Sequence, residues 1–202
     1  MPPKDRYPRD FIAGWPRVYH ALTGPLPAQR DTWTKIQERA LACFGETAPG
    51  QAKRTDGVIL LGKTGRGKTA LAAFLARLCD QKLHVTPHLV RCAELRLQLR
   101  GLPIEREVDL PELAEACRPA KAPLLVVDDV GVEKGVPDAE ELVRALVDMR
   151  ELEPCFTVWT SNLSYDEFVQ HLGGSRQDSR LSPLKVLEFS TLPDFRKEQR
   201  NA

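Results

Sequence analysis

Residues 62–69 have the types and the spacing of a phosphate-binding loop. They read Gly-Lys-Thr-Gly-Arg-Gly-Lys-Thr and match the pattern G-x-x-x-x-G-K-[ST]. The glycines let the backbone curl so that successive N–H groups point at phosphate oxygens, and a helix that follows adds a positive dipole. We expect Lys68 to neutralise the β- and γ-phosphates of ATP and the Thr69 hydroxyl to bind Mg²⁺. The residues predicted to bind the nucleotide here are Gly62, Lys63, Thr64, Gly65, Arg66, Gly67, Lys68 and Thr69.

Two acidic residues follow an apolar run farther along the chain. Residues 124–127 read Leu-Leu-Val-Val, which is typical of a strand buried in a parallel sheet, and Asp128 and Asp129 come next. Ligands bind outside the carboxyl ends of the strands in open α/β sheets. We therefore predict that Asp128 binds Mg²⁺, directly or through water, and that Asp129 polarises the water that attacks ATP. The alternative is that the two carboxylates only cap the next segment.

The elements that must position these residues alternate between strand and helix. The sequence predicts strands over 57–61, 88–91, 124–127, 155–159 and 186–189. Helices are predicted over 68–79 and through Leu95 to 101. Two more helices are predicted from the capping-box pairs Asp138 with Glu141 and Ser164 with Glu167. Strands separated by helices imply parallel crossovers, and hence a three-layer α/β sandwich with a parallel sheet.

The composition is that of an ordinary globular protein. Of 202 residues, 42% are hydrophobic and 28% are charged, and the net charge of +1 creates no global field that demands a polyanionic partner. The 5 cysteines and 4 histidines are not spaced as zinc ligands, and an odd cysteine count without a signal peptide fits a reducing cytosol. The apolar stretches are too short to span a membrane. We expect a cytoplasmic protein without a membrane partner.

The N-terminal part differs in composition from the rest of the chain. Residues 1–30 are rich in proline and arginine, and proline disfavours helix for itself and for the preceding residue, so we predict an extended arm. Its aromatic residues either anchor the arm to the domain or dock a partner. Residues 31–202 are predicted to form one ATPase domain, in which Asp31 caps a first helix and Pro111 begins another.

Several ordered blocks together resemble the DnaC/IstB branch of the AAA+ ATPases, which contains bacterial helicase loaders and transposition ATPases. The resemblance runs from about Trp15 to Gln199. Residues 62–69 resemble the Walker A motif of the family, 124–131 its Walker B motif, and 160–163 its sensor-1 signature. The resemblance implies a P-loop fold of AAA+ type with little or no separate lid domain, ATP and Mg²⁺ as ligands, and ATP hydrolysis.

Three polar residues take their roles from this resemblance. Asn162 matches sensor 1 beside the γ-phosphate, where an amide can both donate and accept a hydrogen bond. Arg180 matches the arginine finger that stabilises charge on the transferred phosphoryl group, and Arg176, on the same helical face, is the other candidate. A surface salt bridge is the alternative role for Arg180. Arg196, within Pro-Asp-Phe-Arg, matches the sensor-2 arginine that binds the nucleotide.

Two departures from the family pattern affect the expected activity. Asp129 stands where glutamate is common across AAA+ proteins. Because aspartate is shorter by one methylene, it would hold the water less well unless the strand end shifts, and we expect slow hydrolysis. Family loaders also carry a separate N-terminal helicase-binding domain, for which residues 1–55 leave little room. These residues are a reduced version of that domain, or the function is absent.

The resemblance implies an ATPase that loads or remodels a replicative hexameric helicase and that self-associates head-to-tail into a ring or filament. Single-stranded DNA is the second expected partner, because Arg96 and Arg100 lie on one helical face in a part of the family's core that faces the pore. A solvated helix face with Glu94 as a partner is the alternative for these arginines. The rival functions are an IstB-like ATPase that assists a transposase and a non-hydrolysing, ATP-dependent assembly switch.

Overall fold

The computed structural model describes residues 56–83, 87–99, 124–151 and 156–190, together with Leu192, Asp194 and Lys197. Strands and helices alternate along these ranges, as predicted, except that two helices lie between the last two strands. They are β1 (Asp56–Leu61), α1 (Lys68–Leu83), β2 (His88–Arg91), α2 (Cys92–Leu99), β3 (Leu124–Val130), α3 (Pro137–Glu151), β4 (Phe156–Ser161), α4 (Tyr165–Leu172), α5 (Ser175–Leu181) and β5 (Lys185–Glu188).

The described strands form one parallel sheet of 5 strands in the order β2-β3-β4-β1-β5. Strand β4 therefore lies between β1, which leads into the phosphate-binding loop, and β3, which carries the two aspartates. All strands point the same way, so their carboxyl ends meet at one edge of the sheet. The residues that follow β4 are consequently placed between the loop and the acidic pair.

One hydrophobic cluster fills each side of the sheet, because successive strand side chains point to opposite faces. On one side the strands pack against α1, with a cluster that includes Val58, Leu60, Leu71, Leu75, Val126, Phe156 and Val158. On the other side they pack against α2 to α5, with a cluster that includes Ile59, Cys92, Leu125, Val143, Leu146, Trp159, Phe168 and Leu181. The predicted three-layer α/β sandwich is confirmed.

Two predicted boundaries are wrong, and the first of them bears on the site. Strand β3 does not end at Val127 but continues to Val130, with an irregularity in its pairing to β4 between those residues. Helix α3 begins at Pro137, so Asp138 lies inside the first turn rather than capping it. Proline suits this first position because its missing N–H would have no partner inside the helix.

The remaining boundaries differ by small amounts. Strand β1 starts one residue earlier than predicted, β5 is shifted back by one, α1 extends four residues farther, and β4 ends two residues later. The capping box of α4 is confirmed: the Ser164 hydroxyl accepts the Glu167 N–H, and the Glu167 carboxylate accepts the Ser164 N–H at 2.9 Å.

Several predictions lie outside the described residues. They are the extended arm over 1–30, the helices at Asp31 and Pro111, and the positions of Arg100 and Arg196. These remain predictions. Within the described ranges, no helix has the length and apolar character needed to cross a bilayer.

Candidate functional site

The loop from 62 to 67 joins β1 to α1 at the carboxyl edge of the sheet. Gly65 and Gly67 have φ angles of 81° and 87°, which residues with a Cβ adopt at a cost. The helix begins directly behind them, since the Gly67 carbonyl accepts the Leu71 N–H at 2.9 Å. The positive end of the α1 dipole therefore lies at the loop, as anion binding requires.

Lys68 connects this loop to the end of β4. Its side chain is buried, with 5% relative exposure, and Nζ donates to the Gly62 carbonyl at 2.6 Å and to the Lys63 carbonyl at 3.1 Å. The same Nζ donates to Asn162 Oδ1 at 2.8 Å. The ammonium group and the amide predicted to contact the γ-phosphate thus lie together, although they are far apart in the sequence.

Thr69 and Asp128 form the second part of the site. The Thr69 hydroxyl donates to Asp128 Oδ1 at 2.9 Å, and the Thr160 hydroxyl donates to the same oxygen at 2.7 Å. Burial raises the pKa of Asp128, while the hydrogen bonds from Thr160 and Thr69 act to lower it. A hydroxyl and a carboxylate side by side are ligands that Mg²⁺ prefers, so this donor set fits the expected ion.

Asp129 has an unusual backbone conformation. Its φ angle is 59°, and it is the only non-glycine residue in the described ranges with a positive φ. Val127 pairs with Trp159 and Val130 with Ser161, so Asp128 and Asp129 together face Thr160. Two residues opposite one is the count of a β-bulge. The strand is therefore irregular at the position where aspartate stands in place of the expected glutamate.

The chain matches a protein-family model described as the IstB-like ATP binding protein over residues 49–182. It belongs to this family. The match covers the phosphate-binding loop, both aspartates and Asn162, and it confirms the resemblance to DnaC/IstB-like AAA+ ATPases. A search of curated protein sequences gave no match.

Solved structures similar to this IstB-like chain include replication proteins. Crystal structures of DnaI (23% identity, TM-score 0.63) and of the DnaC helicase loader (19% identity, TM-score 0.60) cover 91% and 85% of the chain. The matches span 94% of the DnaI chain and 98% of the DnaC chain. The replication initiator DnaA bound to AMPPCP and single-stranded DNA matches with 17% identity and a TM-score of 0.56, over 86% of this chain and 51% of that one. At these identities the matches show the shared P-loop AAA+ fold.

Arg180 of the IstB-like chain does not lie among the nucleotide-site residues. It forms ion pairs with Asp148 and, from Nε to Oε2 at 2.6 Å, with Glu151. Arg176 approaches Asp148 at 3.5 Å. Helix α3 returns from the carboxyl end of β3 toward the amino end of β4. Its last residues therefore lie toward the amino ends of the strands, whereas the phosphate-binding loop lies at the carboxyl ends. Arg180 is therefore placed away from the phosphate-binding loop of its own chain.

The arginines near β2 and α2 have partners within the chain. Arg91 pairs with Glu94 at 3.0 Å, and Arg96 Nη1 donates to the Val132 carbonyl at 2.9 Å. Glu94 is thus a partner of Arg91 rather than of Arg96. The Arg96 contact attaches α2 to the loop that follows the aspartates, a role that the sequence did not suggest.

Glu133, within that loop, is a buried glutamate for which the sequence suggested no role of its own. Glu133 has no exposed surface; its carboxylate accepts the Gly131 N–H at 2.8 Å and contacts His171 Nε2 at 2.6 Å. The Cys92 thiol also hydrogen-bonds to Glu133. Burial of the thiol, together with the nearby carboxylate, raises the pKa of Cys92. Within the described ranges these groups form no cluster suited to hold a metal ion. They join α2, α4 and the loop after β3.

The segment after β5 touches the phosphate-binding loop. Arg66 Nη1 donates to the Ser190 carbonyl at 2.9 Å, and the Asp194 carboxylate occupies the space that a Cβ on Gly65 would need. Gly65 is therefore required both for its positive φ and for this close approach. Asp194 belongs to the Pro-Asp-Phe-Arg segment that contains Arg196. The fold therefore brings Asp194 of this segment to the phosphate-binding loop.

Proposed function

We propose that this chain is a Mg²⁺-dependent ATPase that loads or remodels a replicative hexameric helicase on DNA. Two hydrogen bonds within the site support the proposed ATPase activity. Lys68 bonds to Asn162 at 2.8 Å, and Thr69 bonds to Asp128 at 2.9 Å. Each contact joins residues that lie far apart in the sequence. A fold without a nucleotide site has no need to bring these four side chains together.

Each residue has a physical role in this proposal. The backbone N–H groups of 62–67 and the Lys68 ammonium bind the phosphates, and Thr69 with Asp128 would hold Mg²⁺, which offsets phosphate charge when bound. Asp129 orients the attacking water and accepts its proton. Asn162 contacts the γ-phosphate from the end of β4. Arg196 is assigned to the nucleotide from its sequence motif.

Arg180 is proposed to act on the nucleotide of a neighbouring copy. Arg180 lies on α5 beside the last turn of α3, toward the amino ends of the strands. This placement supports the assignment because the phosphate-binding loop of the same chain lies at the carboxyl ends. A group that reaches from one copy to the next creates a head-to-tail interface, which generates a ring or a filament rather than a two-fold dimer. The ion pairs with Asp148 and Glu151 would have to be released for this contact.

The helicase assignment is supported by the ordered motifs along the chain and by the fold that it shares with DnaI and the DnaC helicase loader. The IstB-like family match favours a second candidate, an ATPase that assists a transposase. Single-stranded DNA is proposed as a ligand in either case, with α2 and the residues around Arg100 as the contact surface. Residues 1–30 are proposed to form a separate arm outside the ATPase domain over 31–202.

Two measurements test the proposal. Pull-down of a purified hexameric helicase by the full chain, in the presence of ATP and Mg²⁺, is expected to succeed, and capture of a transposase instead would favour the second candidate. A multiple-turnover ATPase assay distinguishes an enzyme from an assembly switch. Binding of ATP without release of phosphate over many equivalents would contradict the hydrolytic function.

The nucleotide site itself is tested by Lys68→Ala. This change removes the ammonium that contacts Gly62, Lys63 and Asn162, and we expect ATP affinity to fall by about 100-fold, or about 2.7 kcal/mol, with the fold retained. Titration with a fluorescent ATP analogue measures the affinity, and circular dichroism checks the fold. Lys134→Ala, which removes an exposed lysine outside the site, is the matched control. Tight ATP binding by folded Lys68→Ala would contradict the assignment.

A further inference from the structure

We propose that Thr160 is a positioning residue that sets the conformation of both aspartates through one buried hydroxyl. The proposal rests on the proposed function and adds a residue to it, because Thr160 touches Asp128 and Asp129 rather than the nucleotide. The sequence suggested a role only for Asn162 within the segment Thr160-Ser161-Asn162.

The Thr160 hydroxyl makes two bonds in opposite senses. It donates to Asp128 Oδ1 at 2.7 Å and accepts the Asp129 N–H at 2.9 Å, and Thr160 has no exposed surface. A hydroxyl carries one donor and two acceptor positions, so it can serve a carboxylate and an amide at once. Valine has the same shape as threonine and can serve neither.

The amide bond matters because of the bulge. Asp128 and Asp129 face the single residue Thr160, so a regular ladder does not supply partners for both of them. The Asp129 N–H finds its acceptor in the Thr160 side chain instead. A second β4 side chain holds the far end of the bulge, since Ser161 Oγ donates to the Val130 carbonyl at 2.6 Å.

The conformation held in this way is costly for aspartate. A φ of 59° is sparsely populated by residues with a Cβ, and it persists only where the surroundings enforce it. In a regular strand the side chains of Asp128 and Asp129 would point to opposite faces. The bulge breaks that alternation, and Thr160 is the residue that stabilises the bulge from within. The irregular strand end at Asp129 is thus held by a side chain of the neighbouring strand.

The test compares two substitutions at Thr160 with one at Thr157. Thr157 is also a buried threonine on β4, but its hydroxyl accepts from Arg150 Nε at 2.9 Å, at the other end of the strand. Thr160→Val removes both bonds of the proposed positioning hydroxyl, Thr160→Ser keeps the hydroxyl, and Thr157→Val removes a buried hydroxyl elsewhere. All three are made in the full chain.

The first readout is amide hydrogen exchange at Asp129, which does not depend on catalysis. We expect Thr160→Val to raise the exchange rate at Asp129 at least tenfold over the wild type, after correction for any change in global stability. Thr160→Ser and Thr157→Val should leave this rate within about threefold of the wild type. Unchanged exchange at Asp129 in folded Thr160→Val would overturn the proposal. If the exchange results hold but the wild type never turns over ATP, hydrolysis fails as a function while the positioning role stands.

The second readout is the kcat for ATP. We expect Thr160→Val to lower kcat by about 30-fold, Thr160→Ser to restore most of it, and Thr157→Val to leave it unchanged. Thr160 acts partly through Asp129, so its loss should matter less once Asp129 is already changed. Adding Thr160→Val to Asp129→Asn is therefore expected to lower kcat by less than about threefold relative to Asp129→Asn alone. A full further loss of about 30-fold in that background would contradict the action of Thr160 through Asp129, and a Thr160→Ser variant as impaired as Thr160→Val would contradict the role of the hydroxyl.

Discussion

At the scale of single residues, the two aspartates differ in environment although they are adjacent in sequence. Asp128 is buried, with 6% relative exposure, and accepts hydrogen bonds from two hydroxyls. Asp129 is partly exposed and uses its backbone N–H, bonded to Thr160, to hold its place. The buried carboxylate suits a fixed ion and the more exposed one suits a water molecule.

This difference predicts separable effects of two amide substitutions. We expect Asp129→Asn to bind ATP and Mg²⁺ like the wild type and to lose turnover by about 100-fold, because the amide cannot accept a proton from water. Asp128→Asn should also weaken the Mg²⁺-dependent part of ATP binding. Titration of ATP with and without Mg²⁺, together with the turnover rate, distinguishes the two variants. Equal loss of binding in both would mean that the roles are assigned wrongly.

At the scale of elements, Glu133 joins the loop after β3 to two helices. Its carboxylate holds the Gly131 N–H and contacts His171 of α4, and the Cys92 thiol at the start of α2 bonds to it as well. Arg96 attaches α2 to the same loop through Val132. The loop follows Asp129 directly, so these contacts fix the chain immediately beyond the proposed catalytic carboxylate.

We predict that Glu133→Ala lowers the free energy of unfolding by about 3 kcal/mol, because it leaves buried polar groups without their partner. Urea denaturation followed by circular dichroism measures this loss. Glu141→Ala is the matched control: Glu141 is exposed on α3 and pairs with Arg144 only at 3.8 Å, so a change within about 0.5 kcal/mol is expected. A Glu133→Ala variant as stable as the control would contradict the role of this carboxylate.

Helix α4 offers a prediction on pH. Hydrogen bonds from the Ser164 backbone and side chain lower the pKa of Glu167 below its ordinary value of 4.5. A depressed carboxylate pKa contributes stability that is present above the unfolded pKa and is lost as the pH falls through the folded one. The difference in unfolding free energy between the wild type and Glu167→Gln should therefore shrink as the pH falls below about 4.5. A constant difference across that range, measured by urea titration at each pH, would argue against the capping contribution.

At the scale of the whole molecule, Arg180 lies toward the amino ends of the strands, whereas the phosphate-binding loop lies at their carboxyl ends. Activity that needs both groups would depend on assembly of several copies. We predict that Arg180→Ala binds ATP nearly as well as the wild type and hydrolyses it at least tenfold more slowly. Arg176→Ala tests the other candidate, since the two arginines share Asp148 as a partner.

Mixing variants gives the sharper test of action between copies. Lys68→Ala and Arg180→Ala each lack what the other supplies, so co-assembled mixtures should regain part of the turnover. The assay measures phosphate release across mixing ratios, with co-assembly established by analytical ultracentrifugation. Monomers of Arg180→Ala that match the wild-type rate, or proven mixed assemblies without any rescue, would exclude the contact between copies.

The sequence by itself determined the local parts of this protein. The loop at 62–69 and the buried run at 124–127 are read from neighbouring residues, because glycine freedom and apolar continuity are local properties. The alternation of strand and helix, and with it the parallel three-layer fold, follows from the same local patterns. The capping box at Ser164 and Glu167 is local too, and the structure contains it.

Only the tertiary structure decided how these parts meet. The position of β4 between β1 and β3 brings Thr160 to the aspartates and Asn162 to Lys68, and strand order in a sheet is set by packing between distant segments. The bulge at Asp129 exists because a neighbouring strand supplies the hydroxyl that satisfies it, which no pattern within 124–130 encodes. Burial of Glu133 depends on His171 and Cys92, which lie far from it in sequence, so their contact arises only in the folded chain.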